Sequence, residues 1–116
     1  MPAEVASRVI RAGSRLERIL ASGAFAVTAE IAPPASADAS EIRRHAAVYR
    51  GTVDACNVTD GQRALVRISS LAAATIALQE GVEPIMQMVS RDRNRIGLQS
   101  DLLGASALGI HNVLCL

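Results

Sequence analysis

Thr28-Ala29-Glu30-Ile31-Ala32-Pro33-Pro34 is the stretch on which the fold turns: a short apolar run that carries a glutamate and is cut off by two prolines. Proline has no N–H to give to a sheet ladder, so the pair ends the strand that Phe25 to Ile31 forms. A carboxylate at the end of a buried strand loses hydration and is costly to keep charged without a partner. Held between acid and base, it suits proton transfer near neutral pH. The plainer alternative is an exposed strand-end carboxylate paired with an arginine.

Upstream, residues 4–21 read as a helix, with Val5, Val9, Leu16, Ile19 and Leu20 on one side and Arg8, Arg11, Arg15 and Arg18 elsewhere. Ser22-Gly23 ends it. Downstream, Asp38-Ala39-Ser40-Glu41 has the spacing of a capping box, with Asp38 as N-cap of a helix through Ile42, Ala46 and Tyr49. Val53 to Val58 is a second strand, followed by the polar turn Thr59-Asp60-Gly61-Gln62. Leu65, Ile68, Leu71, Ala72, Thr75 and Leu78 form a helical stripe closed by Gly81. Pro84 to Val89 is a third strand. Asp92 or Asn94 can cap a helix carrying Ile96, Leu102, Leu103 and Ala107, and Ile110 to Leu116 begins a fourth strand.

A leading helix followed by βαβαβαβ implies an α/β fold with a parallel sheet and right-handed crossovers. Two architectures fit, an open doubly wound sheet or the first half of a (β/α)8 barrel of the TIM type. The first turn, Ala32-Pro33-Pro34-Ala35, is no glycine-rich phosphate loop. In both architectures the C-terminal strand ends line the active site. Those ends carry Glu30, then Asn57, Thr59 and Asp60, then Gln87, Ser90 and Arg91. A full barrel takes roughly 250 residues. Residues 1–116 are therefore expected to be the N-terminal portion of one, truncated at Leu116 in mid-strand.

Composition removes several function classes. A net charge of +1 offers no electrostatic capture of nucleic acid or of an anionic membrane. All basic residues are arginine, so no lysine is present for a Schiff base or a phosphate clamp. Phe25 and Tyr49 are the only aromatics, which leaves no platform for stacking bases. Cys56 and Cys115 sit in apolar runs and read as small buried hydrophobes rather than a disulfide or metal pair. His45 and His111 have no ligand partner at useful spacing, so no metal is expected. There is neither a secretory signal nor a membrane-spanning run, and a soluble, cytoplasmic protein is expected. Met86 and Met88 read as strand core. Arg91, Arg93 and Arg95 with Asp92 have the look of a phosphate clamp, although a solvated helix start with local ion pairs is the favoured reading.

Four segments, in order across residues 14–116, resemble the methylenetetrahydrofolate reductase family. They are Ala29-Glu30-Ile31-Ala32-Pro33-Pro34, Asn57-Val58-Thr59-Asp60, Pro84-Ile85-Met86-Gln87-Met88, and Leu108 to Leu116. The resemblance implies a (β/α)8 barrel that binds FAD and reduces 5,10-methylenetetrahydrofolate to 5-methyltetrahydrofolate, using electrons from NADH or NADPH. It places Glu30 on the catalytic acid that protonates a folate nitrogen. Thr59, Asp60 and Gln62 fall on the loop touching flavin and nicotinamide. Gln87 falls where many members carry a flavin-contacting histidine, and Leu116 precedes a glycine-aspartate turn. Two positions depart from the typical pattern: Ile31 and Ala32 replace two phenylalanines, and glutamine replaces the histidine. Both departures resemble a subgroup with an Arg-Asp-Arg-Asn-Arg run, here Arg91 to Arg95.

The partners so implied are a folate substrate and NAD(P)H, with homo-oligomers expected of the full-length protein. Taken alone, the 116-residue chain is expected to be inactive and poorly soluble, because half a barrel leaves strand edges and helix faces open. Two alternatives from other classes remain: a non-catalytic half-barrel accessory chain, and a pterin-binding methyltransferase-type barrel that needs no flavin. Without the resemblance, Thr59-Asp60-Gly61-Gln62 reads as an ordinary turn, and Gln87 as a strand amide in need of a partner.

Overall fold

Four short strands, each rich in residues that fill a buried sheet, lie side by side in chain order. They appear in a computed structural model that describes residues 9–116. The elements are α1 (Arg15–Ala21), β1 (Thr28–Ile31), α2 (Ser40–Tyr49), β2 (Ala55–Val58), α3 (Ser70–Gln79), β3 (Pro84–Met88), α4 (Arg95–Ala107) and β4 (Asn112–Cys115). Short 3-10 turns cover Gln62–Ala64 and Ser90–Asp92. All neighbouring strands are parallel, in the order β1-β2-β3-β4. This order has no reversal point, so right-handed crossovers put α2, α3 and α4 on one face of the sheet, as in part of a TIM-type barrel. Among the described residues the strands do not close into a ring.

Strand alternation divides the side chains cleanly. Ile31, Cys56, Val58, Pro84, Met86 and Met88 face the helices and are buried. They pack with Ile42, Ala46, Ala73, Ala74, Ala77 and Ala105. Fully burying an isoleucine or methionine contributes roughly 1.5–3 kcal/mol, so this layer holds the domain together. The expectation for Met86 and Met88 is met. In α3 the buried positions other than Ser70 are all alanine, a strong helix former whose small side chain lets the helix lie close to the sheet. Ser69 caps α3 by accepting the Ala72 N–H at 3.2 Å. Gly81 turns the chain away with a φ of +85°, a conformation that favours glycine.

Several boundaries differ from expectation. Among the described residues the leading helix starts at Arg15 with Ser14 as N-cap, and residues 9–14 of the expected 4–21 span are not helical; residues 4–8 lie outside the described residues. The Glu17 carboxylate collects the N–H groups of Arg11, Ala12 and Gly13 at 2.7–2.8 Å, which holds that stretch in a turn. Val5 and Arg8 lie outside the described residues. β1 starts at Thr28, and Phe25 is 89% exposed. Asp38 accepts the Ser40 N–H at 2.9 Å, as a cap would, but its own N–H goes to Ser36 Oγ and not to Glu41. The capping box is thus only half made, and the residue flanking α2 is Ala39. α3 begins at Ser70, which leaves Leu65 exposed in a loop. Asn94, not Asp92, caps α4, accepting the Gly97 N–H at 2.7 Å. Cys115 is free and exposed rather than buried.

α1 is fastened to the sheet by polar contacts. Glu83, just before β3, accepts the Arg15 and Leu16 N–H groups at 2.7 and 2.9 Å. Ser14 Oγ donates to Asn112 Oδ1 at 2.8 Å. Between α1 and the uncovered sheet face lies a cleft of about 850 Å³ lined by Leu16, Leu20, Asn57, Ile85, Asn112 and Leu114, among others.

Candidate functional site

The face of the sheet that the three crossover helices leave free is where polar side chains meet. Glu30 of β1, Asn57 of β2, Ile85 of β3 and Asn112 of β4 lie in register on it. Gln87 stands two residues further along β3, and its Nε2 donates to Asn57 Oδ1 at 3.5 Å. Glu30, Asn57 and Gln87 therefore form one cluster toward the C-terminal strand ends. Glu30 is exposed, and its carboxylate makes no hydrogen bond or ion pair among the described residues. The expectation of a carboxylate in a buried strand is corrected: Ile31, its neighbour, takes the buried side, and Glu30 itself is exposed. Nor does Glu30 have the arginine partner of the plainer reading.

The loops beyond the strands are tied to one another. The Thr59 N–H donates to Ile31 O at 3.2 Å, which holds the chain after β2 against the end of β1. Thr59 is buried and its Oγ1 has no partner among the described residues. Arg67 Nη1 donates to Pro33 O at 3.0 Å, and the Ile68 N–H to Pro34 O at 2.9 Å. These bonds use the carbonyls of the proline pair that ends β1 and fasten the first turn to the segment before α3. Arg67 Nε and Ser70 Oγ, in that same segment, are also buried without partners among the described residues.

Asp60 is engaged on both oxygens. Arg93 Nη2 reaches Oδ1 at 3.1 Å, Arg93 Nη1 reaches Oδ2, and the Val89 N–H donates to Oδ2 at 2.9 Å. Arg93 Nε also donates to Asp101 at 3.1 Å. Burial works to raise the Asp60 pKa, but the Arg93 hydrogen bonds, the Val89 N–H and the Arg93 charge together hold it below the ordinary carboxylate value. Asp60 thus joins the turn after β2 to the turn after β3. Gln62 is exposed in the short turn that follows Gly61, and Arg63 and Ala64 there have φ values of 59° and 55°. A non-glycine residue in that region carries of order 1 kcal/mol of strain. Leu116 is exposed; its N–H donates to Met88 O at 2.9 Å, and its carbonyl accepts from Ser90 N at 3.2 Å.

Arg91 and Arg93 of the arginine run are occupied locally, and Arg95 is exposed. Arg91 pairs with Asp92 at 2.7 Å and donates to Gly61 O at 3.2 Å, while Arg93 serves Asp60 and Asp101. This agrees with the favoured ion-pair reading and not with a phosphate clamp. Burial and the nearby charge of Glu30 push the Cys56 thiol up to about 11, so it stays protonated at neutral pH. No group of three or more possible metal ligands occurs among the described residues. No helix among them is long and apolar enough to cross a membrane.

The structure brings Glu30 and Gln87 onto one face and sets Thr59 and Asp60 at its rim, with Gln62 outside the cluster. Asn57 is the member that sequence reasoning named only as part of a strand end. Its one signal is an amide in the apolar run Ala55–Val58, at the position that pairs with Glu30. A family model described as methylenetetrahydrofolate reductase matches residues 15–116. No curated protein matches the chain significantly.

Proposed function

Since the chain belongs to the methylenetetrahydrofolate reductase family, we propose that it carries the proton-donating part of a site that reduces a one-carbon folate. The reaction so proposed converts 5,10-methylenetetrahydrofolate to 5-methyltetrahydrofolate, with NADH or NADPH as the electron source. The observation that supports it best is Glu30: an exposed carboxylate without a partner among the described residues, on the open face of a parallel sheet beside two amides. Structural carboxylates of this chain, such as Asp54, Asp60, Glu80 and Glu83, are engaged by arginines or backbone N–H groups.

In this proposal Glu30 protonates a nitrogen of the five-membered ring. The C–N bond breaks with its electrons retained by that nitrogen, and the exocyclic iminium carbon becomes able to accept hydride. Bound FAD supplies that hydride chemistry. The residues present fit such a group on one point of this structure: the Thr59 hydroxyl is buried at the C-terminal end of β2 without a partner among the described residues, a cost that a ligand hydrogen bond would remove. Thr59, Gln62, Gln87 and Leu116 are proposed to hold the cofactor. Asp60 would then act at its edge, through the two turns it joins.

Glu30→Gln tests the reading. Folate reduction should fall by roughly a hundredfold or more, while flavin reduction by nicotinamide continues. Equal loss of both half-reactions would defeat the acid role. A purified protein without flavin absorbance would favour the pterin-binding methyltransferase reading.

A further inference from the structure

Asn57 sits in the middle of the polar cluster, and the hydrogen bond it accepts determines which way it points. Gln87 Nε2 donates to Asn57 Oδ1 from the β3 side. A planar amide whose oxygen faces β3 turns its NH2 group away from β3, and on that side its register partner is Glu30. The two backbones are about 4.8 Å apart, within reach of a short amide and a longer carboxylate. Asn57 Nδ2 makes no hydrogen bond among the described residues, and neither does the Glu30 carboxylate. A half-buried donor without a partner thus stands beside an acceptor without one, on a face where the neighbours Ile85 and Leu114 are apolar. No charged side chain on β2 or β3 shares that face to compete for the carboxylate.

We propose that Asn57 is the positioning residue for Glu30: oriented by Gln87, its NH2 group holds the Glu30 carboxyl in the direction from which it gives its proton to the folate ring. The role rests on the folate-reductase reading; the Asn57–Glu30 hydrogen bond it needs is itself part of the proposal, argued from the register of the two residues and the Gln87 bond alone. Gln87 acquires a reason to be an amide. A carboxylate there could not donate to Asn57 Oδ1, so it would draw the Asn57 NH2 toward β3 and leave an oxygen facing Glu30.

The contact is tested in the protein itself by following the Asn57 side-chain NH2 resonances in a 15N-labelled sample. Glu30→Gln and Gln87→Glu should each move them. Resonances unmoved by Glu30→Gln, in the folded variant, would overturn the proposal. The role is tested by the two half-reactions. Asn57→Leu should lower kcat for folate reduction roughly tenfold to a hundredfold, the cost of misplacing a reacting group. KM and flavin reduction by nicotinamide should change little, and Asn57→Gln should recover part of the loss. Equal loss in both half-reactions, or no recovery with Asn57→Gln, would make Asn57 merely structural. Should Asn57→Leu fail to fold, the isosteric Asn57→Asp puts a negative charge beside Glu30, and full folate reduction in that variant would equally overturn the role. Failure of the underlying reading looks different: Glu30→Gln would then keep folate reduction while the Asn57 resonances still moved.

Discussion

Ile31, Val58 and Met86 lie in register across β1, β2 and β3, and all three are fully buried. One residue earlier on the same strands, Glu30, Asn57 and Ile85 are in register on the opposite face, and none of them is buried. Two rows of side chains separated by a single peptide unit thus perform different tasks. The helix side supplies cohesion through close apolar packing. The open side supplies chemistry: its amides Asn57 and Gln87 bond to each other, and the Glu30 carboxylate has no partner among the described residues. The contrast teaches that the parity of a strand position, more than its place along the chain, decides whether a change here is felt in stability or in function.

The sharpest way to break this division is Met86→Ala. It should cost about 2–5 kcal/mol of unfolding free energy, through lost burial and the cavity left behind, whereas Glu30→Gln should stay within about 0.5 kcal/mol. Denaturant titrations of both variants check the pair, and comparable losses would dissolve the distinction. Next comes the rim, where polar groups do structural work. Arg93→Met leaves Asp60 largely buried without its counter-ion and should cost about 2 kcal/mol. The same link has a pH signature. Because the Asp60 pKa is held below its ordinary value in the folded protein, its contribution is present at neutral pH and is lost as pH falls through that depressed value. Thermal melts from pH 6 down to pH 3 should show an acid-sensitive component that Arg93→Met removes. The smallest effect is expected at the strained turn. Ala64→Gly relieves a left-handed alanine and should raise stability by about 0.5–1 kcal/mol. A fall in melting temperature would show that the turn gains more from its side chain than it loses in strain.

Most of the fold was legible because it rests on local signals. Apolar runs closed by Pro33-Pro34, Gly81 or Gly109 mark element ends, and their alternation implies the parallel order that is found. What was not legible depends on contacts between distant residues, or on a surface left uncovered. The early start assigned to the first helix ignored the three N–H groups that Glu17 captures, a side-chain contact that periodicity does not register. Glu30 was rightly placed near a strand end but wrongly taken as buried, because alternation says which side a residue faces and not whether that side has a lid. Asp60 was read as a ligand-side group, while its engagement by Arg93, 33 positions away, belongs to tertiary structure. Asn57 gains its meaning only from register, which pairs it with Glu30 and sets Gln87 on its other flank.

Glu83 has a consequence for the order in which the molecule assembles. α1 has seven residues and buries none of them, so it is too short to persist alone. Its anchor is a carboxylate 67 and 68 positions downstream. Closing so long a loop becomes worthwhile only once β3 is in place to present that carboxylate. Of the described elements, the helix that leaves the ribosome first should therefore dock among the last, and during native-state opening its amides should exchange with solvent before those of the sheet.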